Sequence, residues 1–397
     1  MVKNNADLVI INTCAVTMNA IRKGKRMIIK ARKENPKAKI LVMGCWPKVY
    51  KEADDTEAMG DLIIIRSENE LEEVIGKFKL RETVSDGDDA NSEMAACAVE
   101  IGADDRSRYS IKIQDGCEQF CSYCVIPYAR GKLKSRSSSE VIKEITRAVQ
   151  MGYREAVLCG IHLGLYGKDS GANLADLLKK IVKIKGLERI RLSSIEITEV
   201  TGELIKLMAD RAKIKEGAKI CRHLHIPLQS GSDKILQLMN RPYGVKYFKE
   251  KVKQIRKKMP EVALTTDVIV GFPGETDIDF KETYDFIREI KFSRLHIFPF
   301  SAHERTPASK MPGVVTETVK KERVAELKKL GEKLAKEYKR KFRGKKLDFI
   351  IEHGPGSGFI GKSEYYFDLV LTAKELKRAA KLAEDRLIGK LVKIMVK

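Results

Sequence analysis

The chain has 397 residues, 43% hydrophobic and 33% charged, enough for two or three domains with a real core and too apolar for a disordered chain. Lys and Arg number 76 against 55 Asp and Glu, and the net charge of +21 favours a polyanionic partner, nucleic acid before an anionic membrane surface. Aromatic residues make up 7%, with one Trp, which argues against base stacking as the main mode of RNA contact.

The opening stretch has neither the charged start nor the long apolar core of a signal peptide, and no run approaches the roughly 18 apolar residues of a membrane span. A soluble, cytoplasmic protein without a membrane partner is expected. Its eight Cys are then reduced and read as metal ligands or catalytic groups rather than disulfides.

Short β-branched runs at 8–12, 39–43 and 62–65, with a basic helix over 18–33, predict βαβ units and a parallel sheet. Residues 85–106 are acidic, small and aperiodic, and read as a linker. From 109 to about 310 the alternation returns. Strands are expected at 110–114, 155–159, 189–193, 222–226, 264–270 and 294–298, with helices at 139–151, 174–184 and 277–290 between them. Six such units predict a parallel barrel, open or closed, with chemistry at the C-terminal strand ends. A long helix over 316–342 follows, and 320–346 holds thirteen Lys and Arg against four Glu. Strand-like runs at 347–351, 365–371 and 391–396, with turn residues at 353–358, predict a small β-barrel, interrupted by a helical stretch at 373–385.

The sharpest signal is Cys117-Glu-Gln-Phe-Cys121-Ser-Tyr-Cys124, just after the first barrel strand. Four thiolates close a structural zinc site, whereas three on one tight loop suit three irons of a cubane whose fourth iron stays open. An incomplete zinc knuckle borrowing a distant His or Cys is the alternative. Cys14 and Cys45 each follow the C-terminal end of a buried strand, the edge where ligands sit in open α/β sheets; on their own residues, the favoured reading is two ordinary half-buried thiols.

The segment from Gln114-Asp-Gly-Cys117 through Cys124-Val-Ile-Pro-Tyr-Ala-Arg-Gly131 closely resembles the core of the radical S-adenosylmethionine methylthiotransferases. So do Gly160-Ile-His-Leu-Gly-Leu-Tyr-Gly167, Ser193-Ser-Ile-Glu196, His225-Ile-Pro-Leu-Gln-Ser-Gly-Ser232 and Asp267-Val-Ile-Val-Gly-Phe-Pro-Gly-Glu-Thr276. Ile10-Ile-Asn-Thr-Cys14 and Met43-Gly-Cys45 look like that family's N-terminal domain, and 344–397 resembles its small RNA-binding β-domain, called TRAM. The form of the motifs after Cys159 is similar to the branch acting on N6-threonylcarbamoyladenosine in tRNA.

The resemblance implies an α/β protein in five parts. These are an incomplete N-terminal parallel α/β domain (1–84), a linker (85–106), a radical S-adenosylmethionine (β/α) partial barrel (107–315), a basic connecting helix (316–343) and a TRAM-like β-barrel (344–397). It implies that Cys117, Cys121 and Cys124 hold a 4Fe-4S cluster whose open iron binds S-adenosylmethionine. It implies that Cys14 and Cys45 serve an auxiliary 4Fe-4S cluster. That cluster has three Cys in the family; this chain begins at the family's second βα unit, and Cys97 in the linker is a poor substitute for the missing thiol. Cofactor contacts are expected from Gly160, Glu196, Gln229, Ser230 and Gly271; the plainer reading makes both glycines strand-end turns and Glu196 a helix cap. Cys159 and Cys221 read as small core residues. His162, His223, His225 and His296 read as core or loop histidines, and no side chain is assigned a catalytic role.

The expected activity is methylthiolation of C2 of N6-threonylcarbamoyladenosine next to the anticodon, by a monomer that binds tRNA through its basic helix and last domain and takes electrons from a flavodoxin or ferredoxin. Isopentenyladenosine in tRNA and a ribosomal protein side chain are the alternative substrates. An RNA-binding, single-cluster protein without methylthiolation is the reading outside that activity.

Overall fold

A computed structural model describes residues 6–50, 61–77, 107–210, 217–353, 358–380 and 388–397. The expected linker at 85–106, and Cys97 with it, lies outside them. The chain divides into two compact units, residues 1–104 with 128–130, and residues 105–127 with 131–397.

In the first unit, β1 (Leu8–Thr13), β2 (Lys39–Gly44) and β3 (Leu62–Ile64) form a parallel sheet in that order. Ile40, Leu41 and Val42 are fully buried in succession, as expected of a strand covered on both faces. Helix α1 (Met18–Glu34) starts where Thr17 accepts a hydrogen bond from the Ala20 N–H at 3.1 Å, and stops at Asn35, before Pro36. Its buried stripe, Ile21, Gly24, Ile28 and Ala31, follows helical spacing, so its basic residues are left on the other faces. Helices α2 (Cys45–Val49) and α3 (Glu68–Lys77) complete this unit.

The second unit runs β4 (Tyr109–Asp115), α4 (Ile126–Arg130, shared with the first unit), β5 (Lys134–Ser135), α5 (Ser138–Gln150), β6 (Glu155–Gly160), α6 (Leu174–Ile181), β7 (Arg189–Leu192), α7 (Gly202–Ala209) and β8 (Lys219–Ile220). It continues through β9 (His223–His225), α8 (Asp233–Leu238), α9 (Val245–Lys258), β10 (Ala263–Val270), α10 (Asp277–Ile290), β11 (Arg294–Pro299) and α11 (Glu317–Arg340). Strands β4, β6, β7 and β8 pair in parallel, as do β9, β10 and β11, and a bridge between Ser194 and His225 joins the two sets into one curled sheet. Helices cover its convex face. Ile145, Leu178, Ile190 and Ile287 are fully buried between sheet and helices, each stabilising the fold by roughly 1.5–3 kcal/mol. No described helix is long and apolar enough to cross a membrane.

The chain ends in β12 (Lys346–His353), β13 (Phe359–Ser363), β14 (Asp368–Leu371), α12 (Ala373–Ala380) and β15 (Leu391–Met395). The segment expected as a small β-barrel is a four-stranded antiparallel sheet in the order β14-β13-β12-β15. It packs on the N-terminal ends of the barrel strands. Glu155, the first residue of β6, is fully buried between Arg189 (2.5 Å) and Arg191 (2.8 Å) of β7. The same guanidiniums donate to main-chain carbonyls of Asp348, Lys362, Ser363 and Glu364. The buried charges are thus paired, and most of their remaining donors meet carbonyls; Arg189 Nε is buried without a hydrogen-bond partner.

Two positive charges of the basic helix turn inward. Arg323 is buried and pairs with Glu275 and Asp277 at 2.5 and 2.6 Å, and buried Lys320 reaches the Phe300 carbonyl and Glu317. The sequence assigns both to RNA contact; their side chains instead pin α11 to the loops after β10 and β11. Lys321, Lys328, Lys329, Lys333 and Lys336 remain exposed.

Candidate active site

Strand β4 delivers the cysteine loop. Gly116 turns the chain with φ of 76°, and a Cβ there would lie 1.9 Å from the Lys132 carbonyl oxygen, so only glycine fits. The Cys117 N–H donates to the Gly131 carbonyl, and the Cys124 N–H closes a turn on Cys121. Ser122 anchors the far side, donating through its N–H to Met239 and through Oγ to Leu238. Buried Gln114 ties the loop to the end of β6. Its Nε2 donates to the Asp115 and Gly116 carbonyls, and its Oε1 accepts from the His162 N–H.

The three Cys open on one cavity of about 220 Å³, lined also by His162, Glu196, Gln229 and Arg241. Arg241 donates to the Cys121 sulfur at 3.2 Å and pairs with the Glu196 carboxylate, so one guanidinium joins the cysteine loop to the opposite wall. His162 Nδ1 lies 3.4 Å from the Cys117 sulfur, and its Nε2 lies 2.5 Å from Glu199. Burial pushes the Cys121 thiol up, with Arg241 opposing, and raises Cys124 to about 12.

This donor set fits an iron–sulfur cluster. Burial disfavours free thiolates here, and a metal centre supplies the positive charge that makes them stable. Among the described residues only His225, Asp267 and His296 bring three ligand atoms within 4.8 Å of one another. At least one pair of the three sulfurs therefore stands more than 4.8 Å apart, wider than the edge of about 3.8 Å in a tetrahedral zinc–thiolate site with bonds near 2.3 Å. That disfavours the zinc knuckle and leaves room for a cubane.

The other expected contacts divide. Glu196 precedes a short 3₁₀ turn without capping it, and its carboxylate faces Arg241 instead. Gln229 lines the cavity from a left-handed backbone, φ 65°. Gly160 lies at the end of β6, where a Cβ would meet the Gln114 side chain at 2.9 Å. Ser230 is fully buried, and its hydroxyl bonds Thr283. Gly271 has φ of 73°, a Cβ there would meet Lys320 at 2.4 Å, and its N–H donates to Glu275. The glycines' local demands thus come from chain packing. Arg241 and His162 stand 120 and 45 residues from the thiols they face, Cys121 and Cys117, and Glu199 meets the loop only through His162, 37 residues away, so no local sequence pattern gives these three side chains their roles.

In the first unit, Thr13 and Gly44 are opposite one another across β1 and β2, so Cys14 and Cys45 are the next residues of two paired parallel strands. Gly44 has φ of 103°, and a Cβ on it would lie 2.2 Å from the Thr13 oxygen. Cys14 is exposed and Cys45 buried. Cys221 is buried and raised to about 11 by that burial, which suits a core thiol.

Residues 111–287 match the Radical SAM superfamily, and residues 1–64 match the Uncharacterized protein family UPF0004. The fold is similar to that of the radical S-adenosylmethionine methyltransferase TsrM from Kitasatospora setae, with a TM-score of 0.55 and 15% identity over 77% of this chain and 66% of that one. Fold and cysteine loop together define a radical S-adenosylmethionine enzyme. The chain is 40% identical to the Bacillus subtilis threonylcarbamoyladenosine tRNA methylthiotransferase MtaB, covering 99% of this chain and 86% of the relative. It is 37% identical to MtaB of Thermotoga maritima (91% and 82%), and 35% identical to the tRNA-2-methylthio-N(6)-dimethylallyladenosine synthase of Acetivibrio thermocellus (99% and 81%). It belongs to the radical S-adenosylmethionine methylthiotransferase family.

Proposed function

We propose that the protein methylthiolates C2 of N6-threonylcarbamoyladenosine beside the anticodon of tRNA. The observation that carries this reading is the three-cysteine cavity with Glu196 and Arg241, in a chain 40% identical to a relative named for that substrate. When bound, the 4Fe-4S cluster and S-adenosylmethionine supply reductive cleavage of a sulfonium S–C bond and the carbon radical that results.

The chain's own residues hold and shelter that chemistry. Cys117, Cys121 and Cys124 hold the cluster, and Arg241 steadies the Cys121 thiolate by a charge-assisted hydrogen bond. Glu196, positioned by Arg241, offers its carboxylate to an ammonium or ribose hydroxyl, and Gln229 borders the same space. Gly160, Ser230 and Gly271 support the cofactor from one layer back. Cys14 and Cys45, adjacent in register, are two ligands of an auxiliary 4Fe-4S cluster. The exposed Lys residues of α11 and the segment 344–397 meet tRNA phosphates, which gives affinity without sequence. The parts are then those expected from the sequence, 1–84, 107–315, 316–343 and 344–397, acting as a cytoplasmic monomer with a flavodoxin or ferredoxin as electron donor.

A second reading, the dimethylallyl (isopentenyl) adenosine substrate, has support from the 35% identical relatives named for it. The test is anaerobic reconstitution, reaction with tRNAs carrying either modified base, and mass spectrometry of the nucleosides. The 2-methylthio form of the threonylcarbamoyl nucleoside is expected, together with 5′-deoxyadenosine, and both disappear in Cys117→Ala, Cys121→Ala and Cys124→Ala. Product from the isopentenyl substrate alone transfers the assignment to the second reading. 5′-Deoxyadenosine at the parent rate in any Cys variant overturns the cluster assignment.

A further inference from the structure

On the concave face of the barrel, strands β9, β10 and β11 place a continuous polar chain that the cluster cavity does not use. His225 is opposite Thr265, and Asp267 is opposite His296. His223 Nε2 lies 3.0 Å from Thr265 Oγ1, and that hydroxyl lies 2.9 Å from His225 Nδ1. His225 Nε2 is 3.1 Å from Asp267 Oδ2, and His296 Nδ1 is 3.3 Å from Asp267 Oδ1. The rings of His225 and His296 stack at 5.2 Å.

The chain is closed at one end and open at the other. His223 is buried under Tyr366. His296 keeps 33% of its side chain exposed and Asp267 25%. Along β11, Leu295 and Ile297 pack into the core beneath α11, so His296 and Phe298 share the concave face, while Arg294, the first residue of the strand, lies over the Tyr366 ring at the closed end. Phe298 is 43% exposed. Asp267 engages His296 Nδ1, which leaves Nε2 as the ring's remaining polar atom. Burial alone would raise the Asp267 carboxyl, but the two imidazoles outweigh it and hold it near 2, so it stays charged.

We infer that His296, oriented by Asp267 and His225, is the specificity residue for the polar amino-acyl arm of the substrate base. This rests on the substrate reading given above. With C2 turned to the cluster cavity, the N6 substituent leaves the ring in another direction and requires its own subsite. A threonylcarbamoyl arm carries N–H and O–H donors and a carboxylate. Its donors and carboxylate can satisfy the free nitrogen of His296. An isopentenyl arm carries no polar group and leaves that nitrogen covered without a partner. A site built to hydrogen-bond an arm rejects the analogue that lacks the groups, because its own polar atoms are then left unpaired.

The test compares kcat/KM of reconstituted wild type, His296→Phe and His296→Gln on two anticodon stem-loops that differ only in the threonylcarbamoyl or isopentenyl arm. In His296→Phe the value for the threonylcarbamoyl RNA falls roughly ten- to 100-fold, chiefly through KM. The value for the isopentenyl RNA holds or rises. His296→Gln, which keeps a polar atom, retains the wild-type preference to within about threefold. A wild type that prefers the threonylcarbamoyl RNA, with an unchanged preference in His296→Phe, overturns this assignment alone. A wild type active only on the isopentenyl RNA overturns the substrate reading and this assignment together. A stoichiometric divalent ion beyond the cluster iron, lost in His296→Phe, also overturns it and gives the His225–Asp267–His296 trio to a metal.

Discussion

The ring of Tyr366 lies flat on the imidazole of His223, with centroids 4.2 Å apart and planes 13° apart. Tyr366 sits in the turn between β13 and β14 with a left-handed φ of 66°, and Lys362 and Arg191 lie over the same ring. One aromatic side chain of the last domain therefore closes the N-terminal end of the barrel.

Tyr366→Ala should remove that stack and open the barrel end to water. A loss of about 2–4 kcal/mol is expected in urea unfolding, and Tyr366→Phe should cost less than about 1 kcal/mol. Equal stability of the Ala variant would show that the stack holds nothing.

Glu155 predicts an acid limb in stability. Burial raises its carboxyl, but Arg191 and Arg189 outweigh that and bring it to about 2. The folded value lies below the unfolded value near 4.3, so its contribution is complete above that pH and is lost as pH falls toward 2. The contribution is of the order of 3 kcal/mol. Glu155→Gln should lose about 3–5 kcal/mol at pH 7, because two guanidiniums are left buried without their counter-charge. It should also flatten the pH dependence between 5 and 3. Urea titrations across that range check both.

Gly116→Ala should damage the cluster before the fold. A left-handed position and a Cβ overlapping the Lys132 carbonyl force the loop to shift immediately before Cys117. Iron retained after reconstitution is expected to fall by more than half, with far-ultraviolet circular dichroism preserved. Full iron content would show that the loop tolerates the shift.

Binding to tRNA should weaken steeply with salt. Changing Lys329, Lys333 and Lys336 together to Gln should lower the magnitude of the log–log salt slope by about 2–3, near 0.7–0.9 per phosphate contact. Cofactor cleavage measured without RNA should not change. Deleting 344–397 is a poorer probe, because it uncovers the Arg189, Arg191 and Glu155 cluster and should unfold the barrel.

The cysteine loop was legible in the sequence because its chemistry is local: three thiols fall within eight residues. The barrel strands were legible because buried parallel strands are runs of β-branched residues. Strand β13 was not. Its stretch is rich in glycine, and Gly361 is there because the Phe349 side chain fills the place of its Cβ at 3.1 Å. The burial of Arg189 and Arg191 is not legible either: beside Glu155, 34 and 36 residues away, their partners are carbonyls that no side-chain pattern records. Lys320 and Arg323 read as phosphate contacts because charge in a sequence does not say which face of a helix is covered.

The Arg189 and Arg191 contacts also set an order of events during synthesis. Their carbonyl partners follow 159 to 173 residues later in the chain. At about 5–20 residues per second, the ribosome takes roughly 8–35 seconds to supply them. Through that interval the first strands of the barrel carry charges that cannot yet be enclosed. The barrel is thus expected to mature late, when its last 50 or so residues emerge, and a nascent chain halted before residue 344 should remain sensitive to protease at β6 and β7.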